Sequence, residues 1–224
     1  MEGLDGSGKS TQVERLRRYF EHKAIPYKYI HFPRLEQSIF GELIARFLRG
    51  ELGEIDQVNP YLVATLYAAD RADCKRLFEQ WLAEGYILLL DRYVYSNIAY
   101  QCAKTPDAEA AERLRNWILH LEYNYYGLPR PDLTLFLDVP FAFTRKNLTS
   151  VRSGSDRAYL DGQRDIHEED LSFQERVRKI YLLQEKDPHF EKISCTDADA
   201  QNILPPDAIF AKVLETLTSY HFLK

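Results

Sequence analysis

Glycines, a lysine and serines lie near the start of the chain at spacings that suit phosphate binding. Gly3 to Ser10 fits the pattern G-x-x-x-x-G-K-[ST] at every fixed position. Glycines let the backbone turn so that successive N–H groups converge on an anion, and a following helix adds its positive end. Lys9 can then reach the outer phosphates of a nucleotide, and the Ser10 hydroxyl can bind Mg²⁺. The simpler alternative is a glycine-rich turn before an ordinary helix.

The predicted nucleotide contacts extend over the whole of this segment, which we call the phosphate loop. Its residues are Gly3, Leu4, Asp5, Gly6, Ser7, Gly8, Lys9, Ser10 and Thr11.

A second chemical group follows a continuous apolar run over residues 86–90. Such a run predicts a parallel strand that is covered on both faces, and its carboxyl end is the edge where open α/β sheets bind ligands. Asp91 and Arg92 stand at this end. A carboxylate suits Mg²⁺ and a guanidinium suits bidentate capture of a phosphate. An ion pair that only supports the structure is the alternative for these two residues.

Alternating helices and strands must position these groups. The apolar periodicity predicts helices over residues 9–23, 38–48, 60–83, 107–124, 140–148 and 205–220, with a further one near 96, and strands over 27–32, 86–90, 133–139 and 190–195. This alternation favours a parallel central sheet flanked by helices, an α/β fold. Because no repeat or linker interrupts it, we expect one domain over residues 1–224.

Residues 149–165 differ from the rest of the chain because serine, glycine, aspartate and arginine dominate there. We expect a mobile flap, with a solvated surface loop as the alternative. Asp165 and Glu168 follow it with His167 between them. Two carboxylates and an imidazole invite a metal-site interpretation, but the spacing favours a capping box that begins a helix to about residue 185.

Composition narrows the class of protein. The chain of 224 residues carries a net charge of −5, which argues against bulk binding to nucleic acid. It has no apolar stretch of the length that a membrane span needs and no basic-then-apolar start, so we expect neither a membrane partner nor secretion. Its three cysteines are far apart and lack metal-ligand spacing. We therefore expect reduced thiols in a cytoplasmic protein.

Taken together, these motifs resemble the thymidylate kinase family, P-loop enzymes that phosphorylate dTMP with ATP. The resemblance implies the three-layer P-loop kinase fold, Mg²⁺ as a cofactor and a homodimer packed through helices. Another P-loop nucleoside or nucleotide kinase, or a catalytically impaired nucleotide-binding module, remains the alternative. The matching segments are residues 2–11, 32–34, 67–71, 91–93 with 96, 127–132 and 165–168.

The resemblance also implies roles for single residues. Tyr67 would stack on thymine, and Arg71, one helical turn later, would bond a thymine carbonyl where cytosine presents a donor. Asp5 would lie near the sugar 3′-hydroxyl and the acceptor phosphate. The remaining implied contacts are Arg34 and Arg92 to the dTMP phosphate, Ser96 and Gln101 to the rest of the base, and Ser10 and Asp91 to the metal.

Members of the family carry a catalytic arginine either in the phosphate loop or in the flap. Because Gly6 follows Asp5, this loop offers none, and the resemblance implies that the flap supplies it. Arg157 is the first choice and Arg152 the second, acting beside Lys9 and Arg92 on the transferring phosphoryl group.

The position of the phosphate loop raises an expectation about the sheet. Such a loop should follow a buried strand, yet only two residues precede Gly3. In the family this strand lies between the one that ends at Asp91 and the one over residues 133–139. A missing or truncated strand would leave buried backbone groups unpaired. We therefore expect about five further apolar residues upstream of Met1.

Overall fold

Parallel strands between two layers of helices form the fold, as the alternating pattern predicts. The computed structural model describes residues 1–149, 165–197, 199 and 202–223. The strands are β1 (Glu2–Gly3), β2 (Tyr27–His31), β3 (Ile87–Asp91), β4 (Thr134–Asp138) and β5 (Phe190–Ser194). The helices are α1 (Lys9–His22), α2 (Ile39–Leu48), α3 (Pro60–Ala72), α4 (Lys75–Ala83), α5 (Val94–Cys102), α6 (Ala108–Leu119), α7 (Phe141–Thr149), α8 (Ile166–Glu169), α9 (Leu171–Leu182) and α10 (Pro206–Ser219).

The start of the chain lies in the middle of the sheet. β2 pairs with β3, while β1 pairs with β4 and β4 with β5, all in parallel. Met1 joins the two sets, because its ammonium group donates to the Leu90 carbonyl at 2.6 Å and its carbonyl accepts from Arg92 N at 2.9 Å. The predicted place of the first strand, between β3 and β4, is confirmed. The expectation of further residues upstream stays a prediction.

Successive residues of β4 point to opposite layers. Leu135 and Leu137 pack in an apolar cluster with residues of α1 and α10, whereas Phe136 packs in a second cluster with residues of α5 and α9. This alternation follows from the period of two in a strand, and it shows that both faces of the sheet are covered. Among the helices that the structure describes, none combines the length and apolar character needed to cross a bilayer.

Two helix predictions need correction. The helix predicted over residues 60–83 is interrupted at Asp73 and Cys74, where Cys74 N donates to Arg71 O three residues back. This tighter turn separates α3 from α4, whose Phe78 is buried in the core. Asp165 does cap a helix, but its carboxylate accepts from His167 N, two residues on, and that helix lasts one turn. A second cap, Asp170, then begins α9.

The helix predicted over residues 107–124 is α-helical only to Leu119 and continues as a π-helix. α6 passes into a π-helical turn over His120–Tyr125, in which Glu122 is fully buried. π-Helical turns are rare and occur frequently at functional sites. The predicted flap, with Arg152 and Arg157, lies outside the described residues except at its ends.

Candidate active site

The phosphate loop connects β1 to α1. Gly8 takes a left-handed backbone conformation, with φ of 79°, and α1 begins directly after it with no side chain capping its first turn. The first N–H groups of the helix are therefore left for an external acceptor. At Gly3 a Cβ atom would lie 2.8 Å from Ser7 Oγ, so a side chain there would require Ser7 to move. The loop thus has the backbone conformation of an anion site.

Lys9 and Asp91 meet at the mouth of this loop. Lys9 Nζ lies 3.0 Å from Asp91 Oδ1, and both side chains are buried. His31 Nδ1 lies 3.0 Å from the other carboxylate oxygen. Burial alone would raise the pKa of the Asp91 carboxyl, but the neighbouring Lys9 and His31 outweigh it and hold that pKa well below its usual range. Asp91 is therefore ionised at neutral pH.

Arg92 turns back from the end of β3 toward the phosphate loop. Its backbone is left-handed, with φ of 65°, a conformation that is uncommon for a side chain of this kind. Its Nη2 donates to Asp5 Oδ1 at 2.5 Å and its Nη1 donates to the Gly3 carbonyl at 3.1 Å. The strained backbone thus places a partly buried guanidinium against the loop.

The Asp5 carboxylate accepts hydrogen bonds from three side chains. Besides Arg92, it accepts from Tyr100 OH at 2.6 Å and from Gln174 Nε2 at 3.1 Å. Burial would raise the pKa of the Asp5 carboxyl, but the Arg92 guanidinium and the Tyr100 hydrogen bond outweigh burial and lower that pKa to about 2. The carboxylate is accordingly held charged and oriented beside the loop.

Residues of α3 and α5 line the far end of the same cleft. Tyr67 and Arg71 lie one turn apart on α3, as their spacing predicts, and Asn97 and Gln101 lie one turn apart on α5. Among the described residues, the amide of Gln101 finds no hydrogen-bond partner although it is buried. Buried polar groups are normally paired, so this amide is available to a ligand.

The hydroxyl of Ser96 is already engaged. It hydrogen-bonds to the Glu2 carboxylate and, at 2.8 Å, to Tyr181 OH. It also accepts from Arg92 Nη1 at 3.2 Å. Ser96 lines the cleft, but these contacts direct it toward Arg92 and Glu2.

Arg34 is not brought to the cleft with the other predicted residues. Its Nε donates to Asp70 Oδ1 at 3.0 Å, and its Nη2 donates to the Asp70 carbonyl and to Asp73 Oδ2 at 2.8 Å each. The residue does not line the cleft. Because two carboxylates take its donors, the geometry does not support the phosphate contact expected for Arg34.

The cleft as a whole is large and polar. Its volume is about 970 Å³, and it runs from the phosphate loop past Arg92 to Tyr67 and Arg71. Ligand sites in proteins usually occupy a few hundred to about a thousand Å³, so this cleft lies at the upper end of that range. A cleft of this size suits two ligands that meet near Arg92.

On α5, sequence reasoning missed two polar residues of this cleft, Asn97 and Tyr100. Both lie on the α5 face that carries Ser96 and Gln101, at steps of three and four residues. That periodicity is the signal that could have found them, since one helix face lines one cavity. Asp165 and His167 also line the cleft, although the capping interpretation had assigned Asp165 a purely structural role.

Comparisons with known proteins agree with one another. The family profile Thymidylate kinase matches residues 1–201. The Mycobacterium tuberculosis (strain CDC 1551 / Oshkosh) protein named Thymidylate kinase is 36% identical over 184 residues, which is 81% of this chain and 82% of that protein. The Pyrococcus horikoshii protein named Probable thymidylate kinase is 34% identical over 185 residues, 81% of this chain and 79% of its own length.

A solved structure is also similar. The thymidylate kinase from Candida albicans superposes with a TM-score of 0.68 at 26% sequence identity. The match covers 97% of this chain and 89% of that one, so the likeness extends over the sheet and both helix layers.

Proposed function

The chain belongs to the thymidylate kinase family and phosphorylates dTMP to dTDP, and we propose that its cleft binds Mg-ATP at the phosphate loop and dTMP between Arg92 and Tyr67. The observation that best supports this proposal is the contact of Arg92 with Asp5 and with the Gly3 carbonyl. Through this contact Arg92 would hold a cation for the acceptor phosphate against the loop proposed to bind the donor. Two phosphates must meet in this way before one can be transferred.

ATP would occupy the phosphate loop. The uncapped start of α1 and the ammonium group of Lys9 offer donors to its phosphates. Lys9 would move from Asp91 toward the transferring phosphoryl group and neutralise charge there. No residue need act as a strong base, because transfer to a phosphate oxygen is mostly positioning and charge neutralisation.

The residues beside the loop fit Mg²⁺. Mg²⁺ takes oxygen ligands and keeps several waters, so two side chains and the phosphates suffice. The ionised carboxylate of Asp91 and the exposed hydroxyl of Ser10 would hold it. When bound, it supplies positive charge to the phosphate oxygens.

dTMP would lie with its phosphate at Arg92 and its base at α3 and α5. Tyr67 would stack on the base, while Arg71, Asn97 and Gln101 would meet its polar edge. Ser96 enters the proposal through its hydrogen bond with Arg92, and Arg34 stays outside it because Asp70 and Asp73 take its donors. Arg157, or else Arg152, would complete the charge around the phosphoryl group from the flap.

The proposal also covers the assembly. We take residues 1–224 as one domain that forms a homodimer in the cytoplasm. Leu62 is 65% exposed on α3, next to Tyr61, whose ring packs edge-on against Trp117 of α6 at 5.0 Å. Exposed apolar groups on adjacent helices suit helix packing between two copies. Sedimentation of the wild type and of the Leu62→Lys variant tests this. If the variant has the same mass in solution as the wild type, this face is not the dimer interface.

One assay tests the proposed reaction. ADP release is measured with Mg-ATP alone and with dTMP, dCMP, AMP or thymidine added. We expect release that depends on dTMP and exceeds that with the other acceptors. Preference for another acceptor would reject the proposed base site, and equal release without any acceptor would reject transfer altogether.

A further inference from the structure

A fully buried glutamate stands behind the base end of the cleft. Glu122, in the π-helical turn after α6, accepts from Arg71 Nε and Nη2 at 2.6 Å each. It also accepts from Asn97 Nδ2 at 2.9 Å. Arg71 and Asn97 line the cleft, whereas Glu122 does not. One carboxylate therefore binds the two cleft residues from behind.

Stability alone is a weak reason for this arrangement. Burying a carboxylate and a guanidinium costs desolvation that their attraction often only balances, and apolar residues of similar volume can do as well. Here the chain departs from the regular α-helix to place Glu122, and Leu128 N donates to its backbone carbonyl at 2.9 Å. One carboxylate thus contacts both residues that would face the base.

The contacts of Asn97 decide which way its amide points. One end of the amide lies at 3.0 Å from the Ala64 carbonyl and at 2.9 Å from Glu122 Oε1. Both are acceptors, so this end must be the NH₂ group, since a carbonyl oxygen there would face two other oxygens. The other end, Oδ1, is buried and finds no partner among the described residues. Asn97 consequently offers an acceptor.

Arg71, in contrast to Asn97, offers a donor. Glu122 engages Nε and Nη2 on one edge of the guanidinium. Nη1, which Glu122 does not contact, belongs to the opposite edge of the planar group and can only donate. The pair therefore presents one acceptor and one donor. Thymine and uracil carry the matching pattern of N3–H and O4, whereas cytosine has an acceptor at N3 and a donor amino group at C4.

We propose that Glu122 is a positioning residue for base selection, which orients Asn97 as an acceptor and Arg71 as a donor so that the cleft takes thymine or uracil and rejects cytosine. This inference rests on the proposed function, which puts the base at α3 and α5. Without the carboxylate only the Ala64 carbonyl at 3.0 Å holds the amide in this orientation, so it turns over more readily, and a turned amide matches cytosine at N3.

The test compares acceptors within one enzyme sample. Wild type, Glu122→Gln and the surface control Glu109→Gln are each given dTMP, dCMP and dUMP in competition, with Mg-ATP as donor. Ratios of kcat/KM measured this way do not depend on the folded fraction. We expect Glu122→Gln to lower the dTMP to dCMP ratio about tenfold or more. The dTMP to dUMP ratio should stay within about twofold, because both bases carry N3–H and O4.

Three results decide the question. An unchanged dTMP to dCMP ratio in Glu122→Gln would overturn the inference. A fall in the dTMP to dUMP ratio as large as the fall in the dTMP to dCMP ratio would also overturn it, because it would signal general damage to the cleft. Should Glu122→Gln yield no soluble protein, Glu122→Asp draws the carboxylate back by one methylene from its contacts with Arg71 and Asn97, and an unchanged ratio there overturns the inference equally. A wild type without preference for dTMP would instead reject the proposed function.

Discussion

Arg92 Nη2 donates to Asp5 Oδ1 at 2.5 Å although 87 residues separate the two along the chain. The contact joins the end of β3 to the phosphate loop, and it occurs inside the cleft. It orients the guanidinium while leaving Asp5 charged, since the pKa of the Asp5 carboxyl is lowered to about 2 chiefly by Arg92 and Tyr100 against the effect of burial.

Replacing Arg92 should separate the two substrates. In Arg92→Ala the cation proposed for the acceptor phosphate is lost, so kcat/KM for dTMP should fall by about a hundredfold or more. The affinity for ATP, measured by calorimetry, should change by less than about threefold. Arg113→Ala removes an exposed arginine that pairs with Glu109 and is the matched control. Unchanged dTMP turnover in Arg92→Ala would contradict the assignment of Arg92 to the acceptor phosphate.

Replacing Asp91 should show up in the metal dependence. Asp91→Asn removes the charge proposed to hold Mg²⁺ and leaves Lys9 without its partner at 3.0 Å. The Mg²⁺ concentration for half-maximal activity should rise about tenfold or more at saturating ATP. Asp207→Asn, which alters an exposed carboxylate paired with Arg15, should leave the titration where it is. Superimposable Mg²⁺ curves for Asp91→Asn and wild type would contradict the assignment.

The flap arginines can be told apart by kinetics. Arg157→Ala should lower kcat by about a hundredfold or more and alter either KM by much less, because the charge would act on the transferring phosphoryl group and not on bound substrate. Arg152→Ala is the comparison, with a smaller loss expected. An effect of Arg157→Ala confined to KM would count against a catalytic role, and a larger kcat loss in Arg152→Ala would reverse the order of the two.

Lys104 should give stability a pH dependence above neutrality. Its Nζ lies 4.6 Å from the centre of the Phe47 ring, with no hydrogen-bond partner among the described residues. Burial lowers the pKa of this amine from 10.5 to about 7, against the opposing charges of Asp165 and Asp56. Between these values the unfolded chain binds more protons than the folded one, so the free energy of unfolding should rise with pH across the window.

Urea denaturation at a series of pH values checks this for Lys104. Wild type should gain stability from pH 7 toward 10.5. Lys104→Met should remove that rise and be more stable than wild type at pH 7, by up to a few kcal/mol. Lys212→Met, at a half-buried lysine of α10 whose amine donates to the Ser194 carbonyl, serves as the control. Parallel curves for wild type and Lys104→Met would show that the amine carries no penalty.

Local features of the sequence were sufficient for most of the fold and for the phosphate end of the site. Gly3, Gly8 and Lys9 are recognisable because the turn and the helix start that they form depend on neighbouring residues alone. The end of β3 could be placed because an apolar run bounded by charged residues is a local pattern. The continuous helix over residues 60–83 was wrong at Asp73 and Cys74 because periodicity cannot detect a single tightened turn.

The sequence by itself thus determined the order of the elements, the phosphate loop and the acidic and basic pair at Asp91 and Arg92. Tertiary structure alone decided which polar groups remain open to a ligand. Arg34 is occupied by Asp70 and Asp73, and Asn97 is turned by Glu122, 25 residues away. The physical reason is that a donor or acceptor is available only if no distant group has taken it, and such pairings depend on how the helices pack.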